Sequence, residues 1–305
     1  MNASSTAAVG RPHPAAADTC LTWLTWLYVP GDRPDVVAKA LRSGADVVLV
    51  DLEDAVAPER KAYARAATAE LLAQGPPGPV PVHVRVNALD GPLAADDIRT
   101  LAHLPGLAGL RLPKVTDPDD LRRAAGWVRA GTHTPPLYPL LESALGVERA
   151  FEIATGHGAV RGLALGEADL RADLGVGGGG LGYARGRAVV AARAAGLAPP
   201  PQSVYPDVRD TEGLARDCAE GRALGFLGRT AIHPRQLPVI EAAYRPSPAQ
   251  VEAAEEIVAA AEQEAGALAL ADGRFVDAAV VAGARRTLAL ARRSCGSPGG
   301  GARSR

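Results

Sequence analysis

Three carboxylates fall within four positions of the segment VVLVDLEDAVAP, at residues 47–58. Asp51, Glu53 and Asp54 follow a run of valine and leucine that predicts a buried strand. Negative charges this close together repel one another, and burying them is costly unless a cation or hydrogen-bond donors lie beside them. The segment therefore predicts either a site that holds a cation or a strand that simply ends in solvent.

Polar side chains also follow the other apolar runs of the chain, where further strands would end. They are Arg85, Asn87, Lys114, Glu142, Glu167, Asp169, Tyr205, Asp207 and His233. The carboxylates in this set suit Mg²⁺, which takes one or two of them together with water and substrate oxygens. Arg85 has the right shape to bind a substrate carboxylate through two hydrogen bonds. Helix capping is the alternative explanation for such positions.

Short apolar runs alternate with longer helical patterns along the body of the chain. The predicted strands are 23–29, 46–52, 80–87, 107–113, 136–142, 160–166, 202–208 and 225–234. The predicted helices are 34–43, 59–74, 93–104, 117–130, 145–156, 182–196, 211–224 and 247–266. Eight strands separated by helices predict parallel pairing and an α/β fold, a (β/α)₈ TIM barrel whose strands end at one rim. No G-x-G-x-x-G signature follows the first strand, which disfavours a dinucleotide-binding fold.

The composition predicts four segments. Residues 1–20 and 294–305 are rich in small residues and are expected to be disordered tails. Residues 21–245 would form the barrel, and residues 246–293 a C-terminal helical extension that acts as a lid or as a contact between subunits.

Bulk charge and cysteine usage limit the partners and the compartment. The 305 residues carry a formal net charge of −1, so neither nucleic acid nor an anionic membrane is an expected partner. Cys20, Cys218 and Cys295 lack metal-ligand spacing and are interpreted as free thiols in a reducing compartment. The sequence contains no apolar run long enough to span a membrane. A cytoplasmic location is the expectation.

Seven short motifs occur in a characteristic order: YVPGDRP, VVLVDLEDAV, VRVNALD, LRLPKV, LLESALG, GEADLRADLG and TAIHPRQL. In this order they resemble the citrate lyase β-subunit-like CoA-ester lyases of the HpcH/HpaI aldolase superfamily, and the likeness covers roughly residues 24–292. The resemblance implies a TIM barrel, trimeric or hexameric, that uses Mg²⁺ to cleave or form a carbon–carbon bond. The substrate would be a 3-hydroxyacyl thioester of CoA or of an acyl carrier protein, such as malyl-, citramalyl- or citryl-CoA.

The resemblance also implies roles for individual residues. Glu142 and Asp169 match the Mg²⁺ ligands, with Glu142 also beside the substrate. Arg85 matches the arginine that holds the keto-acid end, and Glu53 and Asp54 match acids that bind metal waters and orient Arg85. The positions that contact the CoA-bearing half are Tyr28, Lys39, Ile232 and His233. Asp277 matches a general acid or base that reaches the active site of the neighbouring subunit, whereas Asp51 is expected to be structural.

Several positions depart from the family pattern and keep other functions open. Leu24 replaces an arginine, Gln202 replaces an aspartate, and the order Glu167-Ala168 reverses the usual position of the acid. One alternative is a CoA-ester-binding accessory subunit or a thioesterase-type relative with altered substrate. Another is a Schiff-base aldolase that uses Lys114, for which an ion pair with the rim carboxylates is the competing interpretation.

Overall fold

The computed structural model describes residues 23–263, 267–270 and 272–292. The two predicted tails, with Cys20 and Cys295, lie outside the described residues. Cys218 is buried and free, as predicted. Within the described ranges, no helix is both long enough and apolar enough to cross a membrane.

A parallel sheet curls into a barrel, which confirms the predicted TIM-barrel fold. Its strands are β1 Thr25–Pro30, β2 Val47–Asp51, β3 Val82–Arg85, β4 Leu107–Leu112, β5 Leu137–Leu141, β6 Ala164–Leu165 and β7 Arg229–Ala231. They lie side by side in the order β6-β5-β4-β3-β2-β1-β7, and every recorded pairing among them is parallel. Because parallel strands end at the same edge, the polar residues that follow them are brought to one mouth.

The predicted strand at 202–208 is wrong in extent, because only Gln202 pairs there, in an isolated parallel bridge to Arg229. Its N–H donates to the Gly228 carbonyl at 2.9 Å, and its carbonyl accepts from the Thr230 N–H at 3.0 Å. The prolines at 199–201 and 206 lack the N–H that a longer ladder would need. This bridge supplies the eighth position of the barrel.

The described α-helices pack around the barrel, except for the last two, which form the C-terminal extension. They are α1 Pro34–Ala40, α2 Lys61–Ala73, α3 Ala94–Leu101, α4 Pro118–Gly126, α5 Ala144–Glu148, α6 Ala150–Thr155, α7 Glu167–Leu174, α8 Gly182–Ala194, α9 Thr211–Leu224, α10 Leu237–Tyr244, α11 Pro248–Gln263 and α12 Ala278–Ala291. The helix predicted at 211–224 has the observed bounds, whereas the one predicted at 145–156 divides into two at Arg149. The short α7 and α10 were not predicted from the helical pattern.

Side-chain alternation along β2 decides which residues face the inside of the barrel. Val48 and Val50 belong to the large apolar cluster under the helices, whereas Val47 and Leu49 pack with Trp26 in a separate cluster. Successive residues of a strand point to opposite faces, so Asp51 shares the inner face with Val47 and Leu49. The strand therefore delivers a carboxylate to the mouth of the barrel.

The C-terminal extension packs on itself beyond the barrel. Helices α11 and α12 are in extensive contact, and Ala254, Ala284 and Leu288 form a small apolar cluster of their own. Between the two helices, β8 Leu268–Ala269 pairs antiparallel with β9 Phe275–Val276.

Candidate active site

Arg85, the last residue of β3, is surrounded by the three carboxylates that follow or end β2. Its Nε and Nη2 donate to the two oxygens of Asp51, both at 2.7 Å, which is a bidentate ion pair. Its Nη1 lies 3.0 Å from a Glu53 oxygen and 3.3 Å from an Asp54 oxygen. The carboxylates thus face a cation and not only one another. Asp51, expected to be structural, makes the two shortest contacts with Arg85.

A second cation, Lys114, completes the neutralisation of Glu53. Its Nζ lies 3.0 Å from Glu53 Oε1. Burial opposes ionisation of Lys114, but the hydrogen bond and the charge of Glu53 outweigh it and raise its pKa. A Schiff-base nucleophile must lose its proton, so this environment argues against an aldolase that uses Lys114.

Glu142 directly follows β5 and is buried. Its Oε2 accepts a hydrogen bond from the Lys114 backbone N–H at 2.9 Å. Burial, together with the negative charge of Glu53, raises the pKa of Glu142 to about 7. This value includes the charge of Asp169, which lies exposed in the first turn of α7 and also raises the pKa, and the charge of Arg85, which lowers it. Asp169 is therefore close enough to Glu142 for its negative charge to oppose the ionisation of Glu142.

These residues fit a magnesium site that substrate and water complete. Among the described residues, no group of three or more His, Cys, Asp or Glu side chains is arranged to hold a metal by itself. Mg²⁺ commonly binds through one or two carboxylates and keeps the remaining positions for water and substrate oxygens. Burial and neighbouring negative charges oppose the ionisation of Glu142. A divalent cation bound to this carboxylate would stabilise its ionised form. Glu142 and Asp169 would be its protein ligands.

The close approach of Gly166 to Glu142 gives a direct test of this site. A Cβ added at Gly166 would lie 2.3 Å from Cγ and Oε1 of Glu142, so the carboxylate would have to move. We expect Gly166→Ala to weaken Mg²⁺ binding about 10- to 100-fold, the usual cost of disturbing a ligand's support. Isothermal titration calorimetry with Mg²⁺ measures this effect.

The matched control is Gly186→Ala, in the interior of α8. A Cβ there meets no heavy atom within 4 Å, apart from its own helix backbone and chain neighbours. We expect this variant to bind Mg²⁺ normally and to be stabilised by about 0.5–1 kcal/mol. Unchanged Mg²⁺ affinity in Gly166→Ala would show that Glu142 is not a ligand in its present position.

The residues assigned to the CoA-bearing half lie on separate elements, and the contacts recorded for the described residues link only Tyr28 to Arg85. The ring of half-buried Tyr28 lies 5.0 Å from the guanidinium carbon of Arg85, a cation–π contact. Ile232 is exposed, and the Nδ1 atom of exposed His233 accepts from the Arg235 N–H at 3.1 Å. Lys39 lies on the surface of α1. Its Nζ is 3.7 Å from a carboxylate oxygen of Asp35 on the same helix.

Asp277 begins α12 as its N-cap residue. Its Oδ1 accepts hydrogen bonds from the N–H groups of Ala279 and Val280, both at 2.9 Å. The contacts recorded for this carboxylate are thus within its own extension.

The remaining polar residues predicted at strand ends stabilise the fold. Asn87 donates from its backbone and side chain to Asp97 Oδ2, and Tyr205 donates to Asp210 Oδ2 at 2.6 Å. The carboxylate of buried Glu167 accepts two hydrogen bonds of 2.8 Å from Arg185, which explains the reversed Glu167-Ala168 order. In this order the acid pairs inside the fold and the alanine is exposed.

The other two departures from the family pattern are also buried and satisfied. The N–H of Leu24 donates to an Asp46 oxygen at 2.7 Å, and its side chain belongs to the apolar cluster under the helices. The Gln202 side chain donates to the Asp217 carbonyl at 3.0 Å and accepts from the Tyr244 hydroxyl at 2.6 Å. The contacts recorded for Leu24 and Gln202 with other described residues therefore do not involve Arg85 or the carboxylates around it.

The fold and the site together define a TIM-barrel protein with an arginine held among carboxylates at the barrel mouth. A family model described as HpcH/HpaI aldolase/citrate lyase matches residues 24–234, and one described as a C–C bond lyase of the TIM-barrel fold matches residues 191–291. The chain belongs to the HpcH/HpaI aldolase/citrate lyase family. The resemblance drawn from the motifs is thereby confirmed.

Three relatives illustrate the range of activities in this family. A (3S)-malyl-CoA thioesterase of Cereibacter sphaeroides is 37% identical over 87% of this chain and 93% of its own length. The mitochondrial citramalyl-CoA lyase of Homo sapiens is 32% identical over 87% of this chain and 84% of its own length. The structure of CitE from Mycobacterium tuberculosis, in complex with magnesium, acetoacetate and coenzyme A, superimposes with a TM-score of 0.76. It is 33% identical and covers 89% of this chain and 99% of its own.

Proposed function

We propose that the chain is a Mg²⁺-dependent carbon–carbon lyase that acts on a 3-hydroxyacyl-CoA thioester of the malyl, citramalyl or citryl type. The observation that carries the proposal is the pair of Glu142 and Asp169 beside Arg85 at the barrel mouth, with the pKa of Glu142 raised to about 7. The two carboxylates can bind a hard cation, and the guanidinium beside them can bind a carboxylate. This combination suits a substrate whose acid half has a carboxylate and an oxygen on the next carbon.

Cleavage would proceed by loss of the substrate hydroxyl proton and breakage of the adjacent carbon–carbon bond. The electron pair of that bond goes to the thioester, which becomes an enolate and then takes up a proton to give acetyl-CoA. The acid half leaves as a keto acid. A magnesium ion bound at Glu142 and Asp169 would supply Lewis-acid polarisation of the hydroxyl and carboxylate oxygens.

Arg85 would bind the substrate carboxylate at the expense of its weakest contact. The bonds to Asp51 are short and buried, whereas Asp54 is 3.3 Å away with a side chain 58% exposed. An incoming carboxylate could take the place of Asp54 on Nη1 while Asp51 keeps the guanidinium plane fixed. Such fixed donors cost little reorganisation during the reaction.

Asp277 would exchange the proton at the acetyl carbon, as a general acid or base. It would do so in a neighbouring copy of the chain, in a homotrimer or homohexamer, while its Oδ1 atom keeps capping α12 in its own copy. Lys39, Ile232, His233 and Tyr28 would contact the CoA-bearing half, or the corresponding part of an acyl-carrier thioester.

Sharing of Asp277 between subunits is testable by complementation. Asp277→Ser is the sharpest variant, because serine is also a good N-cap and preserves α12 while removing the carboxylate. We expect Glu142→Ala and Asp277→Ser each to be inactive alone. Co-expressed with two different tags and purified as mixed oligomers, they should recover roughly a third of wild-type activity in a trimer and roughly a quarter in a hexamer, since random mixing places the two intact residues in one site at these frequencies.

Two outcomes would contradict the sharing of Asp277. Mixed oligomers without any recovered activity would show that each site uses residues of one chain. An Asp277→Ser variant with wild-type turnover would remove Asp277 from the chemistry altogether.

A thioesterase is the second candidate, favoured by the 37% identity to the (3S)-malyl-CoA thioesterase of Cereibacter sphaeroides. Such an enzyme hydrolyses the thioester bond and releases CoA and an intact hydroxy acid. The two candidates share a substrate class and differ in which bond breaks.

Product analysis separates them. Malyl-, citramalyl- and citryl-CoA are incubated with the protein in Mg²⁺ or in EDTA, and keto acid and free thiol are measured in parallel. Magnesium-dependent keto acid with acetyl-CoA supports the lyase. Free CoA with a hydroxy acid and no keto acid overturns it in favour of the thioesterase, and binding without product would leave an accessory, CoA-ester-binding role.

A further inference from the structure

Lys114 has an unusual backbone conformation for a residue with a side chain. Its φ is 55°, and it is the one non-glycine residue with positive φ among the described residues. Side chains crowd the following carbonyl in this left-handed region, so such a conformation persists where the surroundings enforce it and often where function needs it. The conformation directs two separate groups of Lys114 to two different carboxylates.

The backbone and the side chain of Lys114 contact different acids of the site. Its N–H donates to Glu142 Oε2 at 2.9 Å, and its Nζ lies 3.0 Å from Glu53 Oε1. Glu53 in turn contacts Nη1 of Arg85 at 3.0 Å. A chain of direct contacts therefore runs from Glu142 through Lys114 and Glu53 to Arg85.

The residue type at this position is informative. Glycine would adopt the left-handed turn without strain and would still present its N–H to Glu142, but it has no cation for Glu53. A lysine in ordinary backbone geometry would carry the cation but would turn its N–H elsewhere. Lysine in the strained conformation makes both contacts. The conformation is therefore unfavourable for the backbone but needed for the arrangement of the site.

We propose that Lys114 is a positioning residue that sets the distance and orientation of Glu142 relative to Glu53 and Arg85. The proposal rests on the proposed function, in which Glu142 binds Mg²⁺ and Arg85 binds the substrate carboxylate. In this role the strained N–H supports the metal affinity of Glu142, and the ammonium supports turnover by holding Glu53 against Arg85.

Two substitutions separate the backbone from the ammonium. Lys114→Gly keeps the left-handed turn and its N–H but removes the cation. Lys114→Val removes the cation and also disfavours the turn, since β-branched residues rarely adopt positive φ. Lys114→Arg retains a cation as the conservative variant, and Arg99→Met, on the exposed face of α3, controls for the loss of one positive charge.

The two variants are expected to behave differently. Lys114→Gly relieves the backbone strain but removes the cation beside buried Glu53, so its two effects on stability oppose each other. It should keep its Mg²⁺ dissociation constant within about twofold but lower kcat about tenfold. Lys114→Val should weaken Mg²⁺ binding about tenfold, measured by calorimetry without substrate. Lys114→Arg should recover part of kcat, and Arg99→Met should match wild type.

Equal Mg²⁺ affinity in Lys114→Val and Lys114→Gly would overturn the role of the backbone, and full kcat in Lys114→Gly would overturn the role of the ammonium. A double-mutant cycle of Lys114→Val with Glu142→Ala, in urea unfolding of the metal-free protein, tests the contact itself. If wild type binds no Mg²⁺ yet the cycle shows coupling, the positioning holds and the proposed function fails. Additive effects in that cycle would overturn the positioning.

Discussion

Replacement of Arg85 by alanine is expected to remove activity and to destabilise the fold by about 3–5 kcal/mol, the cost of leaving buried charges without their partner. Asp51 is 1% exposed and Glu53 4% exposed, so neither carboxylate can turn to bulk water. Arg85→Lys keeps a positive charge but loses the planar fork that binds Asp51 through two bonds. It should therefore be more stable than Arg85→Ala and still lose about 10²–10³-fold in kcat, as for removal of a preorganised donor.

Removal of the Asp51 charge that Arg85→Ala leaves unpaired should change stability without changing activity. The double variant Arg85→Ala/Asp51→Asn removes the stranded charge of Asp51, and we expect it to regain part of the stability of wild type without any activity. Urea unfolding and the keto-acid assay give the two measurements. Arg122→Ala, which breaks the exposed pair with Asp119, is the matched control and should cost less than about 1 kcal/mol. A small stability loss in Arg85→Ala would mean that solvent reaches the cluster.

The barrel was predictable from the sequence because its strands are short, strongly apolar and separated by helices. Alternation along β2 also carries the information that Asp51 shares a face with Val47 and Leu49. This alternation places the Asp51 carboxylate on the same side of the sheet as Arg85, which it holds through two hydrogen bonds. A count of inward positions along β2 and β3 would have paired them.

Other features could not be predicted because they depend on contacts distant in sequence. The positive φ of Lys114 has no local signal, since lysine neither favours nor requires that turn. The limited pairing at Gln202 is the exception, because the prolines beside it are a local signal that the sequence did contain. The pairing of Glu167 with Arg185 spans 18 residues and decides that this acid does not join the mouth. Motif order therefore identified the family, while side-chain partners required the fold.

Glu142→Gln is expected to weaken Mg²⁺ binding by at least about 100-fold, because an amide oxygen replaces a charged ligand of nearly the same shape. The amide can still accept the hydrogen bond from the Lys114 N–H, so the position of the side chain is preserved. Calorimetry with Mg²⁺ provides the measurement, and exposed Glu152→Gln on α6 provides a control of equal chemistry. Wild-type affinity in Glu142→Gln would contradict the assignment of Glu142 as a ligand.

In the metal-free protein, the raised pKa of Glu142 makes the stability of the fold depend on pH. The pKa of Glu142 rises from 4.5 to about 7 on folding, so the folded state holds a proton that the unfolded state releases between these values. Wild-type stability should therefore fall as the pH rises from about 4.5 to 7, by up to about 3 kcal/mol, and Glu142→Gln should lack this loss. At pH 8 the metal-free variant would then be more stable than wild type, and at pH 4.5 the two would be alike.

Magnesium should reverse that order of stability. Saturating Mg²⁺ stabilises only a chain that binds it, so wild type at pH 8 should gain stability while Glu142→Gln should not. Below pH 7 the cation must displace a proton from Glu142, and wild-type affinity should weaken about tenfold for each further pH unit. Calorimetry in buffers of different ionisation enthalpy counts that proton directly. A site that binds Mg²⁺ equally at pH 5.5 and pH 8 without releasing a proton would show that Glu142 is already ionised, and that burial and its neighbouring carboxylates do not control the affinity.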